Sequence, residues 1–584
     1  MACFGRELFL PLKATTIIAY FGTVTKPNGR RRETLLLPVR PTRKVTNMDQ
    51  QVVNEIQRRR TFAIISHPDA GKTTMTEKLL LYGGAIHMAG SVKARKAAHH
   101  ATSDWMEIEK QRGISVTSSV MQFNYDGYCI NILDTPGHQD FSEDTYRTLC
   151  AADAAVMLLD GAKGVEAQTI KLFAVCRKRG IPIFTFINKM DRAAKNPFDL
   201  IDELEKVLGI RSTPINWPIG TDGDFQGVYV RESEEVLLFD NETKDHGASM
   251  VKSISAGIND EEALRKILNE HHYETLKNDI ELLDMAGDPF DLDKILKGEL
   301  TPVFFGSAIT NFGVEPFLKK FLEIAPGPQS HETSEGIIEP TEDFFSGFVF
   351  KIQANMDPNH RDRMSFMRIC SGKFEKGMNV NHMRTGKKIT LAQPQQFMAQ
   401  DRTIVEDAYA GDIIGLFDPG IFRIGDTVTT SSKKFNFANI PVFPPEHFAR
   451  VQPKDSMKRK QFLKGIEQLS EEGAVQLYKQ PGIGTETYIM GVVGVLQFEV
   501  LEHRLKTEYG VDILRNNLNY RFARWCKKQD EATDIDFSKL TLTSTSMLVL
   551  DRDEMPVVLF ESEWAISWAL EHNEGLKLED IHES

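Results

Sequence analysis

The stretch Ser66-His67-Pro68-Asp69-Ala70-Gly71-Lys72-Thr73-Thr74 constrains this chain more than any other. It follows a short apolar run, Phe62-Ala63-Ile64-Ile65, that reads as a buried parallel strand, and it precedes residues 75–81, which read as a helix. Strand, glycine loop and helix in that order are the context a phosphate-binding loop requires. Successive backbone N–H groups in such a loop face an anion, and the helix N-terminus adds partial positive charge at the same place. In this reading Lys72 reaches the β- and γ-phosphates and Thr73 ligates Mg2+. The loop departs from the usual pattern at its first position, where Ser66 stands in place of glycine. Serine is small enough to keep the turn, and stretches further along the chain decide the reading.

A second apolar strand, Tyr128-Cys129-Ile130-Asn131-Ile132-Leu133, runs into Asp134-Thr135-Pro136-Gly137-His138. An aspartate at the end of a buried strand can hold Mg2+ through water. Gly137 has no side chain, so its N–H can approach a γ-phosphate, and His138 falls where an attacking water must be positioned. A lone histidine is usually structural; the spacing from the loop lysine sets this one apart. After the strand Ala154-Ala155-Val156-Met157-Leu158-Leu159-Asp160, a helix leads to Cys176-Arg177-Lys178-Arg179-Gly180. Those cations read as a helix C-terminus with Gly180 as its stop, in preference to an RNA contact.

The strand at residues 183–187 ends in Asn188-Lys189-Met190-Asp191. The Asp191 carboxylate can accept from both N1–H and the 2-amino group of guanine, a pair of donors adenine lacks, so it selects GTP over ATP. Asn188 reads the base edge and supports the loop, while the Lys189 stem covers the base. Phe304-Phe305-Gly306-Ser307-Ala308 supplies a fifth stretch, whose Ala308 backbone meets the guanine O6. Five such stretches, most of them at strand ends, point to a nucleotide triphosphatase with its ligand at the carboxyl edge of an open α/β sheet.

These residues resemble the G domain of the translational GTPases. That family carries Asp-x-x-Gly-His in its second switch, Arg-Gly-Ile before the first-switch hydroxyl, and Asn-Lys-x-Asp, matched here by Asp134 to His138, Arg112-Gly113-Ile114 and Asn188 to Asp191. The resemblance implies that Ser115 joins Thr73 and Asp134 as a Mg2+ ligand. The family usually has threonine there, so the hydroxyl is kept and the methyl lost. The long polar segment 91–111 before it, containing His99 and His100, has the length and position of a mobile switch. The two histidines read as solvent-exposed.

At 584 residues the chain has room for about three domains. Residues 192–300 separate the base-reading stretches by far more than a minimal domain needs. There Trp217-Pro218-Ile219-Gly220 and Phe225-Gln226-Gly227-Val228-Tyr229 resemble the insert of elongation factor G. From Gly347-Phe348-Val349-Phe350-Lys351-Ile352 onward, short strands broken by turn signals predict a β-barrel. Its stretch Asp357-Pro358-Asn359-His360-Arg361-Asp362-Arg363 resembles the corresponding loop of the peptide chain release factor 3 family, the class-II release factors. Gly494-Val495-Leu496-Gln497-Phe498-Glu499-Val500-Leu501 resembles that family's third domain. The expected architecture is an α/β P-loop GTPase domain over 48–328 with an insert at about 192–300, a β-barrel over 329–442 and an α+β domain over 443–584. In the last of these, Met457, Phe462, Ile466 and Leu469 suit one helical face, and Leu496, Val500 and Leu501 another.

The resemblance implies a ribosome-dependent GTPase that promotes dissociation of class-I release factors after peptide release, with GTP or GDP and Mg2+ as ligands and the ribosome as partner of a monomeric chain. No Gly-Gly-Gln tripeptide occurs, so the family's peptidyl-tRNA hydrolysis motif is missing. Elongation factor G continues with two further domains, for which no chain remains here. Another translational GTPase, acting in translocation or ribosome rescue, and a GTP-gated binding protein with negligible hydrolysis are the alternatives.

The net charge of −12 argues against a protein that coats nucleic acid indiscriminately, though not against a local basic face. Such a face is available in Lys454, Lys458, Arg459, Lys460, Lys464, Arg504, Lys506, Arg515, Arg521, Arg524, Lys527 and Lys528, where a merely solvated set of helix faces is the competing reading. Arg58, Arg59 and Arg60 read as a solvated approach to the first strand. The six cysteines lack metal-like spacing, which fits a reducing compartment without disulfides. No apolar run approaches the roughly 18 residues of a membrane helix. Residues 1–47 form a basic, acid-poor leader. It reads either as an organelle transit peptide or as the product of an upstream start codon with Met48 opening the protein, and the lack of amphipathic periodicity favours the second. The corresponding locations are the cytoplasm, or an organelle stroma or matrix.

Overall fold

The computed structural model of the protein describes residues 49–85, 109, 115–220, 224–239, 253–257, 260–355, 363–392, 394–398, 401–437, 440, 442–481, 488–529 and 535–580. The leader, His99, His100, Arg112, Gly113, Ile114 and residues 357–362 lie outside the described residues.

Phe62-Ala63-Ile64-Ile65 forms the middle of strand β1 (Arg59–Ser66), and the period of a strand divides it between two faces. Phe62 and Ile64 belong to one apolar core, Ala63 and Ile65 to another. Because both faces are covered, the run tolerates no polar residue. β2 (Ser119–Tyr125), β3 (Tyr128–Asp134), β4 (Ala154–Asp160), β5 (Ile183–Asn188), β6 (Arg211–Pro214) and β7 (Leu300–Phe305) extend the sheet in the order β2-β3-β1-β4-β5-β7-β6. β2 and β3 are antiparallel, joined at Asp126 and Gly127, which both take the positive φ that a two-residue hairpin needs. The other neighbours in this order are parallel.

Helix α1 (Lys72–Tyr82) covers one face, with α5 (Val314–Ile324) beside it. The other face is covered by α2 (Ser142–Leu149), α3 (Ala167–Lys178) and α4 (Pro197–Leu208). Under α5 the phenylalanines interlock edge to face: Phe321 lies 4.6 Å from Phe62 and 4.8 Å from Phe184, and Phe317 lies 5.0 Å from Phe304. Each ring buried in this way contributes about 1.5–3 kcal/mol. α3 ends as the cations and glycine predict. Gly180 has φ 68°, and the Ile181 N–H returns to the Cys176 carbonyl at 3.0 Å.

Within 192–300, α4 and β6 belong to the main sheet. Beyond them Asn216–Ile219, Gly227–Val230, Glu235–Phe239 and Ser253–Gly257 form a separate antiparallel sheet. Trp217, fully buried, joins the two layers: its ring lies 4.6 Å from Phe198 and 5.3 Å from Phe305, and its N–H donates to Asp279 at 2.9 Å.

The β-barrel is built around the long antiparallel pair Ser346–Ala354 and Arg363–Ser371, with Thr427–Thr429 and Ile413–Phe417 on either side. It joins the first domain through buried polar contacts on Asp412, whose carboxylate accepts from Arg59 at 3.0 Å and Gln122 at 2.8 Å. Arg59 is therefore no part of a solvated approach: it is 6% exposed, and Tyr409 lies under its guanidinium at 4.5 Å.

The last domain sets α6 (Arg459–Glu471) and α7 (Leu496–Tyr509) against the sheet containing His447–Pro453 and Tyr488–Val492. Phe462, Ile466 and Leu469 face that core as their spacing predicts. Met457 does not. It sits in the short 3-10 turn Ser456–Lys458, before the helical period begins, and is 89% exposed. Arg504 also departs from the expected basic surface. It is 3% exposed and bonds Glu472 at 2.6 Å and Glu508 at 2.6 Å, a pairing a buried guanidinium requires. Lys454, Lys458, Lys460, Lys464 and Lys506 remain exposed.

The described cysteines, Cys129, Cys150, Cys176, Cys370 and Cys526, are free and buried. Burial pushes the Cys150 thiol up to about 11 and those of Cys129, Cys176 and Cys526 up to about 12. A chain carrying Cys3→Ser is therefore expected to react with a disulfide reagent at pH 8 only on unfolding, because the thiolate is the reactive species. Rapid labelling of the native chain would contradict this packing.

Candidate active site

Loop residues 66–71 leave the carboxyl end of β1 and enter α1. Ser66 is 1% exposed, and its hydroxyl oxygen is buried without a partner. Gly71 has φ 99°, and a Cβ there would lie 2.3 Å from Nδ2 of Asn188. Glycine is thus required twice, for the backbone and for the close approach. No side chain caps α1, so the free amides of its first turn open onto the loop. His67 approaches Glu166 at 3.4 Å; Pro68 and Thr74 are half-buried, and Asp69, with φ 67°, is exposed.

Lys72 and Asp134 meet inside this edge. Nζ lies 2.5 Å from Oδ1, with the side chains 7% and 2% exposed. The Thr135 hydroxyl donates to the Ile64 carbonyl at 2.7 Å, tying the end of β3 to β1, and the Pro136 carbonyl accepts from Thr145 at 3.1 Å. Gly137 packs against the loop, where a Cβ would stand 3.5 Å from Pro68 Cα. His138 follows, its side chain 35% exposed, with Nδ1 3.3 Å from the Asp140 carboxylate.

Asn188 braces three stretches at once. Its Oδ1 accepts from Lys189 N at 2.9 Å and Ala308 N at 2.8 Å, while Nδ2 donates to the Ala70 carbonyl at 2.8 Å. The Ala308 N–H expected to meet a base is therefore engaged by Asn188 here. Asp191 accepts from the Ser307 hydroxyl at 2.6 Å, and buried Met190 donates its N–H to the Gly306 carbonyl at 3.2 Å. Lys189, with φ 69°, reaches over the loop to the Asp69 carbonyl and to Asp160 at 2.7 Å.

Asp160 is a site residue the motifs miss. Its burial opposes ionisation, but the hydrogen bonds from Lys189 and the Ala162 N–H, with the charges of Lys189 and Lys163, together hold the carboxyl below the usual range. The available signal was its place at the end of β4, directly across from Asn188. Glu109 is another: its carboxylate accepts from the N–H groups of Val116 at 2.9 Å and Thr117 at 3.1 Å, just beyond Ser115, which is itself half-buried. Among the described residues no cluster of three or more His, Cys, Asp or Glu forms a metal cage. Thr73, Ser115 and Asp134 offer two hydroxyls and a carboxylate, a hard-oxygen set suited to Mg2+, which keeps water and phosphate among its ligands.

Residues 57–327 match the family described as the elongation factor Tu GTP binding domain, 344–431 match elongation factor G domain 2, and 437–570 match the class II release factor RF3, C-terminal domain. A peptide chain release factor 3 from Symbiobacterium thermophilum is 59% identical over 526 residues, 90% of this chain and 98% of that one. One from Listeria monocytogenes serotype 4b is 55% identical over 534 residues, 91% and 100% of the two chains. The chain belongs to the peptide chain release factor 3 family. As a member of that family it is a guanine-nucleotide-binding, GTP-hydrolysing factor of translation termination. A further relative in Streptococcus uberis shares 53% identity over 530 residues, 91% of this chain and 99% of that one. A crystal structure from Thermus thermophilus, 22% identical, superposes with a TM-score of 0.63 over 81% of this chain and 71% of that one, a likeness of fold. No helix among the described residues is long and apolar enough to cross a membrane.

Proposed function

We propose that the chain hydrolyses GTP to GDP and phosphate on the ribosome, with Mg2+, and so promotes the departure of class-I release factors after peptide release, as a single chain in the cytoplasm. The observation that carries the nucleotide site is Asn188, hydrogen-bonded at once to the phosphate-loop backbone, its own loop and Ala308. That brace holds the phosphate-binding and base-reading stretches in register.

Loop amides from Ser66 to Thr74 and the Lys72 ammonium receive the β- and γ-phosphates, Lys72 giving up Asp134 as it does so. Thr73, Ser115 and Asp134 would hold Mg2+, which would supply positive charge to offset that of the phosphates. Gly137 N–H meets the γ-phosphate, with Thr135 and Pro136 fixing its approach. Asp191 accepts from guanine N1–H and the 2-amino group, held in place by Ser307. His138 positions the attacking water. The transition state is loose and asks little covalent help of the protein, so positioning supplies most of the acceleration.

Single-turnover GTP hydrolysis with and without ribosomes tests this reading. Stimulation by ribosomes is expected; hydrolysis that stays negligible in both would leave a GTP-gated binding protein. For the base, Asp191→Asn is expected to weaken GTP binding by about 1–3 kcal/mol through loss of a paired polar match, and to raise relative competition by xanthosine triphosphate. An unchanged preference for GTP would remove Asp191 from base reading.

A further inference from the structure

The segment that follows His138 is gripped at both ends by the third domain. Asp140 accepts the Leu496 N–H at 2.8 Å, at the first turn of α7. Its other carboxylate oxygen lies 3.3 Å from His138 Nδ1, and its own N–H meets the same nitrogen at 3.3 Å. Further along, Arg147 of α2 donates to the carbonyls of Glu472 at 3.1 Å and Gly473 at 2.9 Å, just past the end of α6. An anion thus meets a helix N-terminus and a cation a helix C-terminus, the favourable pairing with each helix dipole. Between the two grips Phe141 packs with Val116 and Val500, and Leu496 lies against them.

The approach at Asp140 depends on a missing side chain. A Cβ on Gly494 would stand 2.0 Å from Asp140 Cγ and 2.4 Å from Oδ2. No positive φ is required at this glycine, so the contact is what restricts the position. With Nδ1 accepting the Asp140 N–H, Nε2 is the His138 nitrogen left to meet a water, because the bond made by one ring nitrogen sets the role of the other.

We infer that Asp140 is a positioning residue for His138, and that the Gly494-to-Leu496 turn of the third domain holds Asp140 in place. This rests on the assignment of His138 to the attacking water. In the full-length chain on saturating ribosomes, Gly494→Ala is expected to lower kcat about tenfold or more with KM and GTP affinity within about twofold, the signature of a misplaced group rather than lost binding. Asp140→Ala is expected to do the same, Asp140→Asn, which keeps an acceptor for Leu496 N–H, to retain more of the rate, and the double variant Asp140→Ala with Gly494→Ala to be no slower than the slower single one. His138→Ala is measured beside them. If it is slow while Gly494→Ala turns over at full rate, or if the two substitutions add, the inference is overturned and the histidine reading stands. If His138→Ala is itself at full rate, both fall. Should Gly494→Ala reduce soluble yield, Asp140→Ala, which adds no atom, decides alone: full kcat overturns the inference, and a selective fall in kcat supports it.

Discussion

Replacing His138 with alanine is expected to leave GTP affinity within about twofold and to lower ribosome-stimulated hydrolysis by roughly 10²-fold or more, the scale of loss when a group that orients a reactant is removed. In the proposed site the loop amides, Lys72 and the Asp191 carboxylate hold the ground state, and the substitution leaves them untouched, so binding has no reason to change. His138 follows directly on Gly137, which packs against the loop, and the imidazole is a third exposed rather than locked in a core. It stands beside the loop proposed to hold the γ-phosphate, with Nδ1 held at Asp140. Single-turnover hydrolysis on saturating ribosomes, with nucleotide affinity measured separately, checks the result. A normal rate would end the catalytic reading of His138.

Gly71→Ala is expected to act on the opposite quantity. A backbone at φ 99° is strained for any L side chain, at about 1–3 kcal/mol. The added methyl also meets Asn188 at 2.3 Å, so it presses on the side chain that joins the loop to Lys189 and Ala308. The loop relieves this by moving, and its amides lose their aim at the phosphates. A loss near 2 kcal/mol corresponds to about a 30-fold weaker Kd for GDP and GTP. Equilibrium titration with a fluorescent GDP analogue measures it. Wild-type affinity would show that the loop binds nucleotide without the observed geometry.

Short-range features of this chain are readable because they are set by neighbours in sequence. Phe62 to Ile65 read as a buried strand and Gly180 as the stop of α3, and both are found so. The ends of strands therefore fall where the motifs lie. Contacts made across the fold are different. Asn188 and Ala70 are 118 residues apart, and Asp140 and Leu496 are 356 apart. Nothing local marks either pair. The same reason separates Arg504 from the exposed lysines near it: a helix face carries charge whether it meets water or two partner glutamates, and only packing decides. Met457 shows the converse. It fits the apolar period of α6, but the period does not reveal that a 3-10 turn comes first. Arg59 reads as solvated because the Asp412 that neutralises it lies 353 residues away.

GTP hydrolysis by this chain is proposed to serve the removal of class-I release factors. Ribosomes carrying a hydrolysed peptidyl-tRNA and a labelled class-I factor, mixed with the chain and GTP, measure that directly as the rate at which label leaves. The chain with GTP is expected to accelerate departure and to let one class-I factor act on many ribosomes, while releasing no peptide itself. Departure at the same rate with and without the chain, while ribosomes still stimulate its GTP hydrolysis, would overturn this role and leave a translational GTPase with another task.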